Sequence, residues 1–272
     1  MATFLTTDGV NLSYTDEGAG RPVVLIHGYT APATAWALTV DALLAAGHRV
    51  VCFDRRGHGE SETPAYGQRM ARHGRDLGEL LEHLQLDDVS LVGASMGGNT
   101  IWAYVDQFGS ARIRSAVVVD QTPKMLNSED WPYGFYGYNA PEGLTMFAAG
   151  VPRTDRGRAP EKSAEALGRL VARLGGPPPM RDPAAPETIK LLTDHALADW
   201  RDVAERFDRP YLMMAADQSQ VWPAGHATAT VAGNPHGRAV TVADSGHAIS
   251  FDQPDRFNEL LVAFLTEPSS VE

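Results

Sequence analysis

Cysteine is nearly absent: Cys52 is the single one in 272 residues, so no intramolecular disulfide can form. A disulfide framework of the kind small secreted domains rely on is thereby excluded. Cys52 lies in the apolar run Arg49-Val50-Val51-Cys52-Phe53, where a buried core thiol is expected. Positive charge is in short supply, with 23 Lys and Arg against 34 Asp and Glu, a formal net charge of −11. A nucleic-acid partner needs a basic face, and an anionic membrane surface would repel this chain. No apolar run approaches a membrane span, and residues 1–8 lack both the basic and the apolar region of a secretion signal. A cytoplasmic location is the expectation. There is no His-Glu-x-x-His, no cysteine cluster, no Gly-Lys-Ser/Thr phosphate loop and no dinucleotide glycine fingerprint. Neither a metal nor a cofactor is expected.

What is present is ordinary globular material, 43% hydrophobic and 21% charged. It suffices for one large α/β domain, with room for an inserted sub-domain. Residues 3–16 predict two strands around a turn at Asp8-Gly9. Short runs follow at 22–26, 49–53, 89–92, 113–119, 211–214 and 238–242, each ending in a glycine-rich or polar turn. Their apolar residues are successive rather than alternating, which predicts strands buried on both faces of a parallel sheet. Helical spacing marks 33–46, 68–85, 96–108 and 254–265 between them. Strand–helix alternation predicts a doubly wound, mostly parallel sheet.

The rhythm breaks between 121 and 208. This stretch holds the breaker Gly175-Gly176-Pro177-Pro178-Pro179 and an aromatic group of Trp131, Tyr133, Phe135, Tyr136 and Tyr138. It reads as a cap inserted between two strands, with helices near 142–149, 160–174 and 186–206. Residues 1–120 and 209–272 then form the core.

The chemistry centres on Gly93-Ala94-Ser95-Met96-Gly97-Gly98, between a strand and a helix beginning near Met96. A Gly-x-Ser-x-Gly turn in that context is a nucleophile elbow. It projects the serine from the carboxyl edge of the sheet, at a helix N-terminus that favours developing negative charge. A serine hydroxyl needs a base to take its proton. His247 follows the last strand, on a loop at the same edge. The other histidines fit less well: His27, His58 and His73 precede the serine, whereas this elbow orders its partners Ser, acid, His. His83 is on a helix, His195 is in the cap, and His226 and His236 are expected to flank the last crossover helix.

Leu25-Ile26-His27-Gly28-Tyr29, the stretch 53–61 (Phe53-Asp54-Arg55-Arg56-Gly57-His58-Gly59-Glu60-Ser61), the elbow and Gly246-His247 together resemble the α/β-hydrolase fold over nearly the whole chain. The resemblance implies an oxyanion hole from the backbone amides of Tyr29 and Met96. It implies a structural role for 53–61. It also implies an acid after the penultimate strand, in a Gly-x-x-Asp-x-x-x-Pro frame, but the position set by Pro223 holds Ser219, and Asp217 comes two residues early. A minority of the family takes the acid one strand earlier, where Asp120 stands. Asp120 is the favoured candidate, with Asp217 second and Asp244 third.

The expected activity is hydrolysis of a small or medium apolar carboxylic ester or lactone through Ser95, His247 and Asp120. Trp131, Tyr136 and Trp222 are the candidate pocket residues. A nucleophilic aspartate, as in haloalkane dehalogenases and epoxide hydrolases, is disfavoured by Ser95. The stretches 42–50 and 54–57 are also similar to cofactor-free haloperoxidases, which are perhydrolases, although those normally keep the later acid and a small cap. A non-catalytic ligand-binding module on the same scaffold would be expected to lose part of the triad.

Overall fold

The computed structural model of the chain describes residues 1–140 and 145–267. Eight strands form one sheet: β1 (Ala2–Leu5), β2 (Asn11–Glu17), β3 (Pro22–Ile26), β4 (Arg49–Phe53), β5 (Val89–Ala94), β6 (Ile113–Val119), β7 (Tyr211–Ala216) and β8 (Gly237–Val242). Their spatial order is β1-β2-β4-β3-β5-β6-β7-β8. β1 pairs antiparallel with β2, and β2 with β4; the remaining pairs are parallel.

The central strands β3 to β7 are almost wholly buried. This matches their unbroken apolar runs, because helices cover both faces. On one face, α2 (Met70–His83), α3 (Met96–Phe108) and α7 (Gly225–Val231) pack Leu77, Leu81, Ile101 and Val231 against Val24, Leu91 and Met213. On the other, α1 (Ala37–Ala45) and α9 (Pro254–Thr266) pack Leu43, Phe257 and Leu261 against Leu25, Val92 and Met214. β8 differs from the expectation: Arg238, Ala239 and Thr241 are exposed, because it is the edge strand and lacks cover.

Strand order reverses at β3, whose neighbours are β4 on one side and β5 on the other. The loops leaving β3 and β5 therefore diverge to opposite faces, opening a crevice at their carboxyl ends. Gly28 and Ser95 sit there.

Between β6 and β7 the chain runs through α4 (Pro160–Leu174), α5 (Pro186–Leu197) and α6 (Arg201–Glu205). A third apolar cluster joins Met96, just past β5, to Met125, Phe135, Tyr138, Leu192 and Trp222. Of the helix expected over 142–149, residues 142–144 lie outside the described residues, and 145–149 form no α-helix: Ala148 pairs with Gly150 in an isolated bridge. The helix expected over 186–206 is two. Asp199 interrupts it by accepting a hydrogen bond from the Arg201 amide at 3.2 Å, while Ala198 is extended. Such side-chain bonding competes with the helix ladder and starts a new helix instead. The helix expected over 33–46 likewise opens as a 3₁₀ turn, Ala33–Trp36, before α1.

Candidate active site

Ser95 joins β5 to α3 with φ 50° and ψ −128°, a conformation L residues rarely adopt. Neighbouring backbone crowds the turn. A Cβ on Gly93 would come within 2.5 Å of the Gly97 backbone, and one on Gly97 within 2.2 Å of the Ile26 carbonyl oxygen. Only glycine fits either place, and the serine is thereby held in its strained bend. The Ser95 amide donates to the Val119 carbonyl at 2.8 Å, tying the turn to the end of β6.

His247 Nε2 lies 2.9 Å from Ser95 Oγ, and His247 Nδ1 lies 2.7 Å from Asp120 Oδ2. The three side chains come from after β5, β6 and β8. Asp120 is wholly buried, with φ 43° directly after β6. Its carboxylate is saturated. Oδ2 also accepts from Ser219 Oγ at 2.6 Å, and Oδ1 accepts from the Ala216 amide at 3.0 Å and lies 3.3 Å from His226 Nε2. Burial alone would raise its pKa, but the hydrogen bonds and charges of His226 and His247 outweigh it and hold the carboxyl well below the usual range. His247 is itself held by Gln220 Oε1 on its amide at 2.8 Å, while Trp222 packs edge-on against its ring at 5.3 Å.

The other carboxylates are engaged elsewhere. Asp217 accepts from the amides of Asp244 and Ser245, both at 3.0 Å, so it shapes the loop leading to His247. Asp244 is exposed and pairs with Arg158 at 2.8 Å and Lys162 at 3.3 Å. His226 is a partner that the sequence does not reveal. It lies inside α7 rather than flanking it, and is wholly buried against Asp120. Ser219, which stands at the acid position of the frame, donates its hydroxyl to Asp120.

The β3 loop is fixed by buried polar groups. The Arg55 amide donates to His27 Nε2 at 3.0 Å, which makes Nδ1 the protonated nitrogen that donates to the Gly28 carbonyl at 2.9 Å. Arg55 Nη2 donates to the same carbonyl at 2.8 Å. A trans peptide directs its N–H opposite to its C=O. The Tyr29 amide therefore points away from Arg55, and it has no partner among the described residues. Met96 opens α3, so its amide is one of the helix's free N-terminal donors. In the stretch after β4, Asp54 accepts from the Ala33 amide at 2.6 Å and the Glu60 amide at 3.0 Å, while Arg56 pairs with Asp76 at 2.6 Å. All of these contacts stay within the protein.

A profile of the alpha/beta hydrolase fold matches residues 21–254. The chain belongs to that family. It is 32% identical, over 98% of its length and the whole of the relative, to a protein named non-heme chloroperoxidase from Kitasatospora aureofaciens. Among solved structures it is similar to bromoperoxidase from Bacillus anthracis, with 28% identity, a TM-score of 0.81, and coverage of 98% of this chain and 100% of the other. An esterase from Exiguobacterium antarcticum superposes with a TM-score of 0.77 over 97% of this chain and 99% of its own, at 23% identity, a likeness of fold alone.

In this hydrolase-fold protein a cavity of about 390 Å³ opens over Ser95 and His247. Its walls include Tyr29, Met125, Phe135, Leu192 and Trp222. Of the candidate pocket residues, Trp222 lines it. Trp131 does not: its indole N–H is taken by Thr122 Oγ1 at 3.2 Å and the Lys124 carbonyl at 3.1 Å, and the ring is buried away from the cavity. Tyr136 also faces elsewhere, with the Arg156 guanidinium 4.7 Å above its ring. Phe135, its neighbour, occupies the wall instead. Among the described residues, no helix is long and apolar enough to cross a membrane.

Proposed function

We propose that this protein is a serine hydrolase that cleaves small or medium apolar carboxylic esters or lactones through an acyl-enzyme on Ser95. One observation carries the reading: a continuous hydrogen-bonded line from Ser95 Oγ through both nitrogens of His247 to Asp120, at 2.9 and 2.7 Å. Asp120 is ionised and accepts from Nδ1–H, so Nε2 is left as the acceptor that faces the serine hydroxyl. Ser95 attacks the carbonyl carbon while Nε2 takes its proton. The oxyanion accepts from the Tyr29 and Met96 amides, each worth on the order of 3 kcal/mol at the transition state. The imidazolium returns the proton to the leaving alkoxide. Water then attacks the acyl carbon by the same route, regenerating Ser95 and releasing the acid. The apolar cavity walls favour an aliphatic or aromatic acyl ester, whose transition state they desolvate.

A second reading is favoured by the relatives named chloroperoxidase and bromoperoxidase. Hydrogen peroxide replaces water in the second step, so the acyl group leaves as a peracid and Ser95 is regenerated. Both readings share the acyl-enzyme and differ in the nucleophile that releases it. Replacing Ser95 by Ala tests both together. Ester turnover and peracetic acid formation from acetate and peroxide are expected to fall to background in a folded protein, and retained turnover would refute the nucleophile. Comparing the two rates in the unmodified enzyme ranks the readings.

A further inference from the structure

The cavity wall is apolar except at a few places, and most of these are occupied. Ser95 and His247 bond each other, both nitrogens of His27 are engaged, and the Tyr29 hydroxyl donates to the Pro183 carbonyl at 3.1 Å. His195 is different. It lines the cavity from the last turn of α5, is 3% exposed, and its imidazole makes no hydrogen bond among the described residues. Its Nδ1 is buried without a partner. A buried imidazole left unsatisfied is costly, and such groups call for a ligand or a role.

Positive charge bears on His195 from Arg55. Arg55 is wholly buried and forms no ion pair among the described residues; its guanidinium contacts only His73 Nδ1 at 3.3 Å and the Gly28 carbonyl. Arg181 follows Met180 of the cavity wall, and its two terminal nitrogens are buried without partners. In a protein of net charge −11, a buried Arg55 without an ion pair, beside a half-buried Arg181 on which only Glu187 acts from a distance, is a local exception. Their field disfavours a hydrogen-bond donor at this end of the cavity and favours an acceptor oxygen. Burial, and then the charge of Arg55, bring the His195 imidazole down to about 3, so it is neutral at working pH and offers one N–H.

We propose that this end of the cavity recognises an oxygen acceptor on the substrate, a ketone or carboxylate set several bonds from the scissile ester, with His195 as its hydrogen-bond donor and Arg55 behind it. The proposal rests on Ser95 being the nucleophile and narrows the substrate class from plain esters to keto- or carboxy-esters. A site built to bond an oxygen discriminates strongly against the analogue lacking it, whereas a plain apolar wall gives no preference for the oxygen and rejects it only weakly.

Matched esters test it. Methyl hexanoate is compared with methyl 5-oxohexanoate and monomethyl glutarate on the acyl side, and pentyl acetate with 4-oxopentyl acetate on the alcohol side. The native enzyme is expected to favour the oxygen-bearing member on one side by about 10-fold or more in kcat/KM. That ratio is expected to collapse in His195→Phe and to recover in part in His195→Gln, which keeps a donor, with the change in KM dominating. The relative response of the ketone and the carboxylate separates the two chemistries. A native preference for the plain esters on both sides, or a ratio unmoved in His195→Phe, overturns the role of His195 while leaving the hydrolase reading intact. Absence of turnover with every ester overturns both.

Discussion

Asp120 is the residue on which the site turns. A carboxylate taken wholly out of water survives ionised only if its lone pairs are filled, and here Ser219, Ala216, His226 and His247 fill them. Asparagine at 120 would keep the shape but present an N–H₂ to donors. The His247 tautomer would then be wrong for accepting the serine proton. Asp120→Asn is expected to cut kcat by about 10⁴-fold, and Asp217→Asn far less, because Asp217 holds only two loop amides. Steady-state hydrolysis of a 4-nitrophenyl ester measures both, and the opposite ranking would assign the acid to 217. The placement of Asp120 beside His247 was legible in the sequence because Ser219 stood where an acid was expected. His226 was not, since nothing in the local pattern of a short helix reveals that its imidazole reaches a strand end 106 residues away.

At the scale of elements, the strands and their loops converge on a buried group of histidines beside the candidate site. His27 follows β3, His58 follows β4, His73 lies on α2 and His195 on α5; all are buried. Burial, then the charge of Arg55, hold His27, His58 and His73 well below the usual histidine range, and His195 at about 3. In the unfolded chain each titrates near about 6.5. As pH falls below that value the unfolded chain takes up protons that the folded one refuses, so stability is full above it and is lost on acidification. Each histidine contributes up to about 1.4 kcal/mol per pH unit in that window. Urea unfolding at pH 7.5, 6.5 and 5.5 measures the slope, and a midpoint independent of pH would contradict neutral burial. The strands themselves were legible because burial on both faces leaves unbroken apolar runs, and the elbow because backbone approaches at Gly93 and Gly97 tolerate no side chain. The segment between β6 and β7 was less so. Its aromatics are divided between cavity wall and packing by tertiary contacts, which put Phe135 inside and turned Trp131 and Tyr136 away.

For the whole molecule, placement is what matters. The sheet reverses its strand order at β3, the crevice so formed holds a serine bent into a strained turn, and the loops after β6 and β8 bring a carboxylate and an imidazole to it. An apolar cavity of about 390 Å³ over that line of hydrogen bonds gives room for a small acyl ester, in a fold whose family matches residues 21–254. The direct test is covalent labelling by a fluorophosphonate, followed by peptide mass mapping. A single adduct on Ser95 is expected, absent in Ser95→Ala and strongly slowed in His247→Ala. An unlabelled protein, or an adduct on another residue that persists in Ser95→Ala, would contradict the nucleophile assignment.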